Sequence, residues 1–135
     1  MTLRTLHLWM TSILVGILLG FFGAAAAHYF TAGIYSIGQV LEKYFQDSTS
    51  FTFLFCSLST TAIVVSLIRN TFKVDRWHGP ADTIFAAHRI DNELDVKTGV
   101  ASTLAAFVSI AGGASAGQYG PLVHFGATLG AFAKA

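Results

Sequence analysis

The sequence predicts an all-α integral membrane fold, and three observations predict it. Charge is scarce: Asp, Glu, Lys and Arg make up 11% of the 135 residues, while 53% are hydrophobic and mean hydropathy is +0.60. Soluble domains carry about 25% charged residues. The few charges are also segregated, so that residues 5–41, 48–68 and 98–133 hold none. The last of these runs is interrupted by Gly112-Gly113-Ala114-Ser115-Ala116-Gly117-Gln118-Tyr119-Gly120-Pro121, which is too glycine-rich for a continuous helix. Hydrocarbon offers no water to a broken backbone, so such a break is tolerated only when buried in protein or lining a cavity.

Each element follows from this pattern. About 20 apolar residues span a bilayer, so the first segment, about 7–41, suits a strongly tilted crossing. Arg4, the apolar run and Ala24-Ala25-Ala26-Ala27 imitate a secretory signal with its cleavage site. The uncharged run continues past that site through His28, Tyr29 and Phe30, so the segment is read as a retained helix. A polar loop is expected at 42–50 and a second crossing at about 51–68. The charged region 69–97 holds a short helix opened by Gly79-Pro80 and running to about residue 88. A helix at about 98–110, the break at 112–120 and a helix at 121–134 complete the chain. Gly120 followed by Pro121 reads as a helix start, with Pro at the first helical position where no N–H is needed. Gly16/Gly20, Gly113/Gly117 and Gly126/Gly130 have the small-residue spacing of tight intramembrane packing.

Lys and Arg in short loops set orientation. Arg4, Arg69, Lys73, Arg76, Arg89 and Lys97 fall on one side and Lys43 alone on the other, which predicts a cytoplasmic amino end. The formal net charge of +1, without a basic cluster, gives no sign of a nucleic-acid partner. Cys56, alone in an apolar run, is expected to be a small buried hydrophobe. No nucleophile–base pair or metal-ligand cluster appears, and residues 117–121 lack the Lys of a phosphate loop, so neither an enzyme nor a cofactor is expected. His124, one turn after Gly120, is expected to pack or hydrogen-bond between helices, not to ligate haem with His28. Phe51, Phe53, Phe55, Phe72 and Trp77 are expected to face lipid, and Asp91, Glu93 and Asp95 to form a solvated turn.

A helix that begins inside the bilayer points free N–H groups and about +0.5 charge at whatever lies before it. That is an anion site without a cation. An anion needs shallow wells if it is to pass, and helix N-termini, backbone amides and hydroxyls supply them.

Residues 113–127, Gly-Ala-Ser-Ala-Gly-Gln-Tyr-Gly-Pro-Leu-Val-His-Phe-Gly-Ala, resemble the CLC chloride channel/transporter family, whose pattern is close to G-A-S-x-G-R-E-G-P-x-V-x-x-G-A. Gly113, Ala114, Ser115, Gly117, Gly120, Pro121, Val123, Gly126 and Ala127 match. A weaker likeness places Trp77-His78-Gly79-Pro80-Ala81-Asp82 on the family's earlier G-S-G-I-P-E motif. The resemblance implies the opening helices of an inverted-repeat transporter with helix N-termini at mid-membrane. It further implies chloride as the transported ion, the lipid bilayer and the remainder of the transporter as partners, and a homodimer when complete. The later G-x-F-x-P motif and pore tyrosine are absent, so the chain reads as an amino-terminal portion.

The site residues implied are His78, Gly79, Gly117, Gln118, Tyr119, Gly120 and Pro121. His78 takes the place of the family's central serine, and Tyr119 that of its gating Glu. An unperturbed tyrosine titrates near pH 10, so no proton exchange through Tyr119 is expected. Imidazole titrates near 6.5, which makes acid-sensitive anion binding at His78 an expectation. Asp82 in the first turn of the short helix suits its dipole and is expected to point away from an anion. A bacterial inner or plasma membrane location is expected. The alternative function is a non-transporting small membrane protein, either a truncated remnant or a helix-packing assembly partner.

Overall fold

Helix is the sole regular secondary structure among the residues that the computed structural model describes, which are 3–45, 50–89, 91 and 93–134. The helices are α1 (Leu3–Phe45), α2 (Ser50–Phe72), α3 (Pro80–Ala87), α4 (Val96–Ala111) and α5 (Tyr119–Lys134). Both long helices outrun the uncharged stretches that predict them. Each ends on a basic residue in its last turn, Lys43 in α1 and Arg69 in α2, where a cation suits the partial negative charge of the helix end. The expected polar loop at 42–50 therefore shrinks, and its centre, 46–49, lies outside the described residues.

At 1.5 Å per residue the 43-residue α1 is about 65 Å long. A bilayer core is about 30 Å thick, so part of α1 runs beyond the hydrocarbon even when steeply tilted. α1 and α2 are both long and apolar enough to cross a membrane, and the most apolar stretch of each is unburied. Trp9, Ile17, Phe21 and Phe22 on α1 and Phe51, Phe55 and Ile63 on α2 are exposed. In a bilayer this exposure costs nothing, because lipid tails are as apolar as the side chains.

α4 is the hub. It packs against α2 and α5, with α1 lying over α4 and α5 and α3 resting on α5. Its sequence explains the role, since its buried residues are Gly99, Ala101, Ser102, Thr103, Ala105 and Ala111, none of them large. Small side chains let helix backbones approach closely. A Cβ on Gly99 would stand 2.4 Å from Thr128 Oγ1 on α5, and one on Gly112 would stand 1.8 Å from Thr61 Oγ1 on α2. Beside the second contact, Ser57 donates its hydroxyl to the Gly112 carbonyl at 2.7 Å. On the α1 side, Gly33 makes room for Phe107, whose ring meets Phe30 edge-on at 5.1 Å.

These are not the glycines whose spacing draws the eye. Gly16, Gly20, Gly113, Gly117, Gly126 and Gly130 have open space where a Cβ would sit. The early half of α1 stands clear of the bundle, and α5 turns His124 and Thr128 inward in place of Gly126 and Gly130. Two smaller expectations also change. Cys56 is exposed, on the wall of an apolar cleft of about 310 Å³ between α1, α2 and α4. Phe53 lines that same cleft, while Phe51 and Phe55 stay exposed.

Candidate anion site

The glycine break begins with a defined helix stop. Gly113 adopts φ +99°, a left-handed conformation that a side chain would strain. Its N–H donates to Ile110 O at 3.0 Å, and the N–H of Ala114 donates to Ser109 O at 3.0 Å. This pair of bonds is the Schellman arrangement, which satisfies the last carbonyls of α4 and turns the chain away.

The next helix starts sooner than the Gly-Pro signal predicts. α5 opens at Tyr119, with the Leu122 N–H reaching Gln118 O at 3.4 Å. Pro121 is therefore the third helical residue, not the first. The position tolerates it for the same reason, because the opening N–H groups of a helix have no intrahelical acceptor. At this end the amides of Gln118, Tyr119 and Gly120 have no acceptor among the described residues.

α3 opens close by. Gly79 is its extended N-cap (φ −151°, ψ −168°) and Pro80 its first residue. Asp82 folds back so that its carboxylate accepts the Gly79 N–H at 2.8 Å, and the same carboxylate pairs with Arg76. The Gly79 N–H, helped by the Arg76 guanidinium, holds the Asp82 carboxyl below the usual carboxylate range. Asp82 thus spends its charge on the helix end itself. Asp95 does similar work: it caps α4 by accepting from the Lys97 and Thr98 amides and the Thr98 hydroxyl, and its carboxyl too is depressed, mainly by that hydroxyl.

The openings of α3 and α5 meet. A Cβ on Gly120 would lie 3.4 Å from Pro80 Cγ, an ordinary contact distance, so the two ends lie side by side. Between them and α4 is a cavity of about 130 Å³ lined by His78, Gly79, Pro80, Ser102, Thr103, Ala106, Pro121 and His124. Ser102 accepts the His78 N–H at 2.9 Å and so holds the segment before α3 against α4. Thr83 Oγ1 lies 2.9 Å from His124 Nδ1, joining α3 to α5. His124 is 1% exposed, and its ring stands edge-on to that of His78 with centroids 6.0 Å apart. Two buried nitrogens, His78 Nδ1 and His124 Nε2, have no hydrogen-bond partner among the described residues.

Of the residues singled out in the sequence, His78, Gly79 and Pro121 share this cavity, and Gly120 abuts its Pro80 wall. Gly117, Gln118 and Tyr119 do not line it. Gly117 is exposed and Tyr119 is 76% exposed, on the outer side of the α5 opening. His124 makes the interhelical hydrogen bond expected of it and also borders the cavity. Ser102, Thr103 and Ala106 are residues that motif reasoning misses. A signal for them exists: Ser102 and Ala106 lie four apart on one face of a helix in an otherwise uncharged run.

Chemically the cavity offers hydroxyls, imidazole nitrogens and the ends of two helices. Among the described residues no carboxylate lines it. Among the described residues no group of three His, Cys, Asp or Glu side chains converges on a metal position. Such a set of neutral donors and helix dipoles suits a partly dehydrated anion.

The sequence model of the family described as voltage gated chloride channel matches residues 60–135, which run from the middle of α2 through the site to the end of the chain. No curated protein and no solved structure matches the chain. With more than half its length matched, and with two helices apolar enough to cross a bilayer, the chain is a membrane protein that belongs to the voltage gated chloride channel (CLC) family.

Proposed function

We propose that this chain forms one wall of a chloride pathway that conducts without proton exchange through its gate position. The observation that carries this reading is the meeting of the α3 and α5 openings, Gly120 against Pro80, over a cavity lined by no Asp, Glu, Lys or Arg among the described residues. Two helix dipoles aimed at one space stabilise an anion there without the deep well that a Lys or Arg would create. The amides of Gln118, Tyr119 and Gly120 form the outer approach and the His78–His124 cavity the inner station. Tyr119 stands where the family's gating Glu would be. It offers a phenol in place of a carboxylate, so it neither competes with chloride as a carboxylate anion nor delivers a carboxyl proton.

The remainder of the pathway comes from further transporter sequence, in a homodimer, with the amino end of α1 in the cytoplasm of a bacterial cell. The test is flux in liposomes holding the assembled transporter. Chloride efflux with no accompanying proton movement supports the reading, and proton movement in fixed ratio to chloride contradicts it. An assembled protein that binds chloride and passes none favours a packing partner in place of a pathway.

A further inference from the structure

We propose that His124 coordinates the anion directly, donating its Nε2–H into the cavity, and that Thr83 sets the tautomer that makes this possible. The proposal rests on the reading that the cavity takes an anion.

The argument is a count of hydrogen-bonding groups. His124 is 1% exposed, so each of its ring nitrogens needs a partner or carries a desolvation cost. Nδ1 has one, the Thr83 hydroxyl at 2.9 Å. Nε2 has none among the described residues. Two arrangements fit the observed contact. In the first, the Thr83 hydroxyl donates to Nδ1, and Nε2 carries the ring proton. Only one group then lacks a partner, the Nε2–H. In the second, Nδ1–H donates to Thr83. That leaves the part-buried Thr83 hydroxyl proton without an acceptor and the buried Nε2 lone pair without a donor among the described residues, so two groups go unmatched. The first arrangement is preferred, and it presents a donor to the cavity that His124 lines.

The rest of the wall agrees in sign. Ser102 Oγ accepts the His78 N–H, so its own proton is left to donate, and no acceptor for it occurs among the described residues. His78 Nδ1 is likewise unmatched. No carboxylate lines the space, and the nearby Asp82 is bound to Gly79 N–H and Arg76. A transition-metal ion would require the disfavoured tautomer, with Nε2 as a bare lone pair. The ligand class is therefore a monovalent, halide-sized anion, which with a few waters fits about 130 Å³. Thr83 is a positioning residue, acting on the anion only through the imidazole.

The test uses the chain with 15N-labelled histidine in neutral-lipid nanodiscs, titrated with chloride and, as control, gluconate. The expected spectrum shows His124 protonated at Nε2 and accepting at Nδ1, with the Nε2 signal moving saturably for chloride and not for gluconate. His124→Gln, which keeps a side-chain N–H, is expected to bind chloride within about 3-fold of the parent, and His124→Leu about 10-fold more weakly. Thr83→Val removes the hydroxyl that selects the tautomer. A mixed Nδ1–H/Nε2–H signal and weakened chloride binding are expected there. Protonation at Nδ1 in the parent, or undiminished chloride binding by His124→Leu, overturns the assignment of His124 while leaving the anion pathway standing. No chloride binding by the parent chain overturns both.

Discussion

Thr83 Oγ1 and His124 Nδ1 lie 2.9 Å apart across a sequence separation of 41, and this contact joins the first turn of α3 to the second turn of α5. Two helix openings that would drift apart as independent elements are thereby held around one cavity. Thr83→Val removes the hydroxyl at nearly constant volume and leaves a buried ring nitrogen unmatched. The expected loss is about 1–3 kcal/mol of folding stability, read from equilibrium unfolding in detergent micelles.

Close packing at the hub gives a second prediction, in which two glycines in neighbouring positions on the α4–α5 pair behave oppositely. Gly99→Ala places a methyl 2.4 Å from Thr128 Oγ1 and 2.8 Å from its Cγ2. Thr128 is 1% exposed and its hydroxyl is bonded to His124 O at 2.9 Å, so it has little freedom to swing aside. Overpacking of this kind costs about 1–3 kcal/mol. Gly126→Ala meets open space inside a helix and is expected to be neutral or to stabilise by up to about 1 kcal/mol. The same unfolding assay ranks the two.

Acid sensitivity follows from Asp82. Its carboxyl titrates below its ordinary value of 3.8 when folded, chiefly because it accepts the Gly79 N–H. A depressed folded value means the charged carboxylate stabilises the fold above the ordinary value, and that this contribution fades as pH falls through the folded one. Asp82→Asn is therefore expected to be less stable than the parent near pH 6. The difference should shrink progressively as the medium is acidified below about pH 4. Unfolding midpoints across that range check it. A constant difference at every pH means the charge does not contribute.

The side chain at the gate position makes a prediction about function. Tyr119 is exposed at the mouth of α5, beside the free amides of the helix opening. In the assembled transporter, Tyr119→Phe is expected to leave chloride flux free of proton movement. Tyr119→Glu introduces a carboxylate with an ordinary titration near pH 4.3, and flux is expected to fall at neutral pH and recover on acidification. Flux and pH recorded together in liposomes report both.

Much of this architecture is legible in the sequence, because a membrane imposes strong rules. Segregated charge and apolar length point to α1 and α2, and Gly79-Pro80 and Gly120-Pro121 point to two helix openings. The finer geometry was not legible, for identifiable reasons. The opening of α5 came two residues early, since a proline is as welcome at the third helical position as at the first. Spacing favoured Gly16/Gly20 and Gly126/Gly130, yet the close approaches fall at Gly33, Gly99 and Gly112, whose partners lie on other helices. Repeats along one helix say nothing of which face its neighbour takes. At the site, His78, Gly79 and Pro121 could be placed by motif. Ser102 and Thr103 come from α4, which carries no motif, and only the three-dimensional packing brings them to His78.

The central claim is that an anion rests between the openings of α3 and α5, and bromide tests it most directly. Crystals of the protein grown from lipid and soaked in bromide are expected to give an anomalous peak inside the cavity bordered by His78, Gly79, Ser102, Pro121 and His124. An occupied bromide position elsewhere, with that cavity empty at the same concentration, would contradict the account.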